Sequence, residues 1–331
     1  MFDLGSYDHN QIVRVVPIPT EVDPHYNKPS SIVKELDRFV IGQDAAKKAL
    51  AVSVINSQII QEHFTKTKEQ LKNNNLLLVG PSGSGKTLLI QTLGKILKRD
   101  VLIVDITQFT NEGYVGRSPS DILIDLQTIC NTKLSRMEKA IIFIDELDKI
   151  STMDVDSDIS TLGVQRGLLK MVEGGKRLIT AARGNQSASE AQEINLDNVL
   201  WIFGGAFTSL FEKEESPGKA IGFSKNKRDK KEFKVSHEDL IKTGLMREFV
   251  GRIGQIVQLH PITKEMYKDI LTKPENSIIL EYEKLGKLRG LDLTLSDADL
   301  TDIVNEAADL GIGARGLRIL AEQKLINRMY C

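Results

Sequence analysis

Leu76-Leu-Leu-Val79-Gly80-Pro-Ser-Gly-Ser-Gly-Lys86-Thr87 is the stretch whose reading decides the fold. Four apolar residues read as a buried strand, and Leu88-Leu-Ile-Gln-Thr-Leu93 downstream reads as the start of a helix. Between them stands the full G-x-x-x-x-G-K-T spacing of a phosphate-binding loop, in the strand–loop–helix context the motif requires. Glycines at 83 and 85 let backbone N–H groups turn toward phosphate oxygens where a Cβ would obstruct them. The N-terminus of the following helix adds partial positive charge. Lys86 suits the β- and γ-phosphates, and Thr87 offers a hydroxyl to Mg²⁺. The loop from Pro81 through Ser82, Gly83, Ser84, Gly85, Lys86, Thr87 and Leu88 is therefore expected to bind ATP with Mg²⁺.

Around this loop the composition is that of a globular protein of about two domains: 331 residues, 41% hydrophobic, with 44 basic against 45 acidic side chains. Balanced charge gives no support to bulk affinity for nucleic acid or membranes. No run approaches the ~20 apolar residues of a bilayer span, and Met1-Phe-Asp-Leu-Gly lacks the look of a signal peptide. Cys130 and Cys331 are the only cysteines, too few for a disulfide framework or a Cys₄ zinc module, so no zinc is expected. A cytoplasmic setting is the default expectation.

Residues 1–30 hold four of the nine prolines and read as an extended arm, with a short strand at Ile12–Val16. A helix opens at Ser30. Strand-like runs at 76–79, 101–104, 141–144 and 199–203 then alternate with helical stretches at 86–98, 119–134 and 161–173. This predicts an α/β fold with a parallel sheet flanked by helices. Gly174–Asn198 breaks the pattern and reads as a projecting loop or hairpin. A second irregular segment, 212–235, carries six basic residues between Lys225 and Lys234 against two acidic ones. Beyond His260-Pro261, helical patterns at 263–272, 275–288, 297–310 and 315–329 surround one strand candidate, Leu291–Leu295. The expected division is an arm (1–30), a large domain (31–260) and a smaller, mostly helical domain (261–331).

Ile141-Ile-Phe-Ile-Asp145-Glu146 is an apolar strand ending in two acids. Open α/β sheets place their ligands at that edge. Asp145 suits Mg²⁺, and Glu146 suits the activation of an attacking water, which favours hydrolysis over transfer to another acceptor. Glu112-Gly-Tyr-Val-Gly-Arg117 sets an aromatic–aliphatic pair, Tyr114 and Val115, between two glycines. Such a pair on a loop can grip a polypeptide by apolar contact, or simply pack beneath the loop.

In order along the chain stand FVIGQDAAKKAL (39–50), GPSGSGKTLLIQTL, NEGYVGR, FIDELDKI, GGAF (204–207), GLMREFVGRI (244–253) and GARGLR (313–318). Together they resemble the ClpX family of AAA+ unfoldases, ATPase partners of the ClpP peptidase, over residues 30–331. The resemblance implies an AAA+ P-loop domain followed by a small helical domain, assembled in a hexameric ring. It implies that Lys86 and Thr87 are the Walker A pair and Asp145 and Glu146 the Walker B pair. Val40 and Ile41 match the box that packs on adenine. Arg252 matches the arginine finger that reaches a neighbour's nucleotide, and Arg315 matches sensor II. Tyr114 and Val115 match the pore loop that pulls substrate. Ile221-Gly222-Phe223 matches the tripeptide that docks on ClpP, a weak contact repeated around a ring to gain avidity.

The chain departs from that family in three places. Its residues include no cysteines for the usual zinc module; only Arg183 stands for the Arg-Lys-His loop of the pore entrance; and Ser151–Thr161, around the second pore loop, is short and acidic. The expected function is therefore ATP-driven unfolding and threading of unfolded or tagged proteins into a ClpP-type peptidase, with an altered substrate reader. The alternatives are a remodelling chaperone working without a peptidase and an ATP-switched binding module. A DNA-handling role finds no support in the charge or in any helix-turn-helix pattern.

Overall fold

The computed structural model describes residues 13–15, 28–110, 117–151, 158–179, 192–215, 233–311 and 313–330. In chain order its elements are β1 (Val13–Val15), α1 (Pro29–Asp37), α2 (Asp44–Thr67), β2 (Leu76–Val79), α3 (Lys86–Leu97), β3 (Val101–Asp105), α4 (Asp121–Ile129), α5 (Leu134–Met137) and β4 (Ile141–Asp145). There follow α6 (Asp158–Val172), β5 (Lys176–Ile179), β6 (Gln192–Asn195), β7 (Leu200–Gly205), α7 (Thr208–Glu215), α8 (His237–Lys242), α9 (Arg247–Val250) and β8 (Gln255–Gln258). The chain then runs through α10 (Lys264–Thr272), α11 (Ile278–Arg289), α12 (Asp297–Leu310) and α13 (Gly313–Tyr330).

One sheet runs β1-β3-β4-β7-β2-β8, with five parallel strands and β1 antiparallel at the β3 edge. Its inner strands are continuous apolar runs because helices cover both faces. Alternate residues of each strand feed two separate cores. Leu77, Val79, Ile142, Ile144, Trp201 and Phe203 pack to one side with α4 and α6. Leu76, Leu78, Ile141, Phe143, Leu200 and Ile202 pack to the other with α1, α2 and α3. The period-2 alternation of strand side chains does this sorting. A third core, including Leu271, Ile303, Leu317 and Leu320, gathers α10, α12 and α13 beyond the sheet. Among the described residues no helix is long and apolar enough to cross a membrane.

The strands expected at 76–79, 101–104, 141–144 and 199–203 are present within a residue or two, and β5 pairs with β6 as a hairpin in 174–198. Three expectations are corrected. Leu291–Leu295 is not a strand: Leu291 N–H donates to Gly286 O (2.9 Å), closing the end of α11, and the Asp292 carboxylate accepts from Thr294 N–H (3.0 Å) and its hydroxyl (2.6 Å). A side chain that binds its own backbone locally competes with sheet pairing. The single helix expected over 119–134 is α4 and α5, separated where Asn131 (φ 51°) and Thr132 (φ 58°) turn left-handed. Third, α2 and β8 are present where no such elements are expected.

Candidate functional site

The sheet topology brings two chain ends together. β2 delivers the glycine loop and β4 delivers Asp145-Glu146 to the same C-terminal edge, with β7 between them. Between the loop, the acids and the start of α13 lies a cleft of about 420 Å³, within the size range of ligand sites. Ser82, Gly83, Gly85, Lys86, Thr87 and Leu88 line one wall; Asp145 and Glu146 line another; Arg315 closes the third.

The backbone at the loop is that of an anion cradle. Gly83 and Gly85 have φ of 77° and 97°, values that favour glycine, and a Cβ on Gly85 would meet nothing within 4 Å. The Lys86 ammonium is buried and donates to the carbonyls of Gly80 (2.6 Å) and Pro81 (3.1 Å). Burial lowers its pKa, an effect opposed chiefly by Asp145 and then Asp148. Thr87 Oγ1 donates to Asp145 Oδ2 at 2.7 Å, so hydroxyl and carboxylate already converge. Buried ammonium, exposed Arg315 and the N-terminus of α3 fit a polyphosphate. The Thr87–Asp145 pair fits the one-or-two-ligand manner in which Mg²⁺ is held beside phosphates. Among the described residues no group of three or more His, Cys, Asp or Glu side chains gathers as a metal cage.

Glu146 stands at φ 59°, left-handed and uncommon for a residue with a Cβ, directly after a buried strand. Its backbone N–H donates to Asp145 Oδ1 (2.9 Å). The side chain opens to solvent on one side, yet the cleft walls strip enough water from it to raise its pKa. Burial contributes most, followed by the charges of Asp105 and Asp145. Asp105 ends β3 directly opposite Asp145 in register.

Not every expected residue meets here. Pro81 and Ser84 line the adjoining hollow of about 350 Å³ between the loop, α10, the end of α12 and the start of α13. Val40 is buried in the core with α1 and α2, Ile41 is half-buried, and neither lines the cleft. Gln43 links that segment to the loop: its amide donates to Ser84 O (3.1 Å) and His260 O (2.8 Å) and accepts from His260 N–H (3.0 Å). Arg252 sits at the opposite edge of the sheet. Asn75, at the N-terminal end of β2, donates to Arg252 O (3.0 Å), and the guanidinium donates to Glu173 (3.0 Å). Tyr114, Val115, Ile221, Gly222 and Phe223 lie outside the described residues.

Gln91, Asp148 and Lys149 line the cleft without having been singled out in the sequence. Asp148 accepts from Ala206 N–H (2.9 Å), tying the turn after β4 to the end of β7. Its signal was present, since it is the third acid of Asp145-Glu-Leu-Asp148. Gly83 also touches the start of α13: a Cβ built on it would lie 3.3 Å from Gly313 Cα, so the loop and the helix carrying Arg315 meet through two glycines.

The family model described as AAA domain (Cdc48 subfamily) matches residues 71–256, from just before β2 into β8, and so includes both the glycine loop and the paired acids. With more than half of the chain matched and the cleft built from those same segments, this protein belongs to the AAA domain (Cdc48 subfamily) family and is an AAA+ ATPase, a nucleotide-using enzyme with ATP-driven activity.

Proposed function

We propose that the chain is a ring-forming protein unfoldase of the ClpX kind, which threads substrate polypeptides into a ClpP-type peptidase. The observation that carries the ring is the place of Arg252. The four residues of β2, about 13 Å of strand, separate its anchor at Asn75 from the glycine loop. Within one subunit Arg252 therefore stands away from the cleft, and it serves hydrolysis only against a neighbouring copy. The large domain (31–260) and small domain (261–331) would meet at the cleft through Arg315. A hexamer in the cytoplasm is part of the same reading.

In this mechanism the Glu146 carboxylate takes a proton from water as the water oxygen attacks the γ-phosphorus and the bond to the bridging oxygen breaks. Lys86, Arg315 and the neighbour's Arg252 stabilise the negative charge on the phosphate oxygens. Thr87 and Asp145 would hold Mg²⁺, which when bound neutralises phosphate charge. Val40 and Ile41, tied to the loop through Gln43, would pack near adenine. Tyr114 and Val115 would convert domain motion into a pull on substrate, and Ile221-Gly222-Phe223 would dock on the peptidase.

The test uses purified protein, ATP, Mg²⁺, a ClpP-type peptidase and a folded, tagged reporter. Degradation is expected only with all components present. Tyr114→Ala is expected to keep hydrolysing ATP while losing unfolding, and Phe223→Ala to keep unfolding while losing degradation. Unfolding that never feeds the peptidase would favour a remodeller working alone. An unchanged reporter beside active hydrolysis would remove the unfoldase reading.

The acid limb of the kcat/KM profile, which reports the enzyme before nucleotide binds, offers a further check. Glu146 must be ionised to accept a proton, and its raised pKa places the limb above the usual glutamate range. Asp105→Asn removes one of the raising charges while leaving an oxygen for Thr107 N–H. The limb should therefore move to lower pH, by part of the shift only, because burial is the larger cause. A limb that stays in place would mean that Glu146 is not the titrating base.

A further inference from the structure

The side-chain amide of Gln165, 1% exposed in the middle of α6, joins that helix to two other segments of the chain. Nε2 donates to Ile150 O (2.8 Å) and to Gly244 O (3.2 Å), while Oε1 accepts from Met246 N–H (2.8 Å). Ile150 closes the 3-10 turn Leu147–Ile150 that follows Asp145-Glu146. Met246 is the N-cap of α9, the short helix that leads to Arg252. About 12 Å farther along the same helix axis, Glu173 follows the last turn and accepts from the Arg252 guanidinium (3.0 Å). One helix thus holds the arginine's segment at both ends and is itself fastened to the turn that directly follows Asp145-Glu146.

We propose that Gln165, with Glu173, is a positioning residue that fixes Arg252 to the catalytic strand of its own subunit, so that events in one cleft govern hydrolysis in the next. This rests on the reading of Arg252 as an arginine finger. A buried amide with its donors and acceptor satisfied is a rigid joint, because breaking any arm leaves a buried backbone group unpaired. The Ile150 turn is also fastened on its other side, through Asp148 to Ala206. A shift of the turn is therefore carried to Met246 and α9 rather than absorbed between them. Glu173 engages one nitrogen of a guanidinium that has five donors and is itself 39% exposed, so the head can be held while facing outward.

Mixed rings separate this role from a merely structural one. Glu146→Gln subunits cannot hydrolyse but present Arg252; Arg252→Ala subunits can hydrolyse but present none. Their mixture should regain hydrolysis at interfaces where the first kind faces the second. Gln165→Leu is then placed in one kind or the other. In the Glu146→Gln subunit it should lower hydrolysis in trans by about 2- to 30-fold, the range for residues that carry coupling. In the Arg252→Ala subunit it should lower it clearly less. Equal losses in both arms, or no loss in the first, would overturn the proposal. If Gln165→Leu fails to fold, Glu173→Gln, at a half-exposed side chain, takes its place in the same two arms with the same criteria. A parent mixture that regains nothing refutes the finger reading itself, before Gln165 is changed, and the proposal falls with it.

Discussion

Glu146→Gln should lower kcat for ATP hydrolysis by about 10²–10⁴, the usual cost of losing a general base, with nucleotide binding retained. The substitution is nearly isosteric and leaves the backbone N–H of residue 146 on Asp145 Oδ1. The cradle of Gly83, Gly85 and Lys86 is untouched. What is lost is a carboxylate whose raised pKa makes it a better proton acceptor than an ordinary glutamate. The same shift fixes the expected stability effect. A carboxyl whose folded pKa is raised contributes stability below its unfolded pKa and loses it as pH rises through the folded pKa. At neutral pH the ionised Glu146 therefore works against the fold, and the amide relieves it. Thermal unfolding at neutral pH should show the variant no less stable than the parent, so that a fall in kcat cannot be assigned to unfolding. Single-turnover hydrolysis alongside binding of a fluorescent nucleotide separates the two steps. Wild-type turnover in this variant would sink the hydrolytic mechanism.

What could be read in the sequence was what is written locally. The glycine loop, the Ile141–Asp145 strand and the capped helix at 297–310 each declare themselves within a dozen residues. Helix α2 did not, for physical reasons. Its N-cap, Gln43, is left-handed (φ 60°) and spends its amide on Ser84 and His260, so no Ser, Thr, Asp or Asn cap marks the start. Its buried face is rich in Ala46, Ala49, Ala51, Ser53 and Ser57, small residues that blur the apolar stripe. Strand β8 is four residues with glutamine at each end, an edge strand with little apolar pattern to display. At Leu291–Leu295 an apolar alternation was real, but Asp292 captured Thr294 and closed the turn. The cleft divides the same way. Lys86, Thr87, Asp145 and Glu146 were legible as motifs, whereas Gln165 carries no local signal, because its meaning lies in three carbonyl and amide groups supplied by distant segments. The remoteness of Arg252 from its own phosphate loop was equally unreadable, since it depends on strand order and direction.

That remoteness makes Arg252→Ala the prediction with the largest expected effect: a loss of about 10³–10⁵ in kcat, the contribution of an arginine finger. The stability cost is small by comparison. The Arg252–Glu173 pair is roughly 40% exposed on both sides, and such pairs contribute about 0–1 kcal/mol. A thousandfold loss of rate corresponds to about 4 kcal/mol, so a change in turnover of that size cannot come from the broken ion pair. Arg252→Lys should recover little, because lysine keeps the charge but not the planar fork that matches a phosphate. The dependence on protein concentration separates action in trans from action in cis. If each cleft is completed by a neighbour, specific activity of the parent protein rises as subunits assemble, while that of Arg252→Ala stays low at every concentration. Sedimentation should show the variant assembling as the parent does. An assembled Arg252→Ala protein that hydrolyses ATP within about tenfold of the parent, far inside the range expected for a lost finger, would remove Arg252 from the reaction. With it would go the argument that this cleft needs a second copy of the chain.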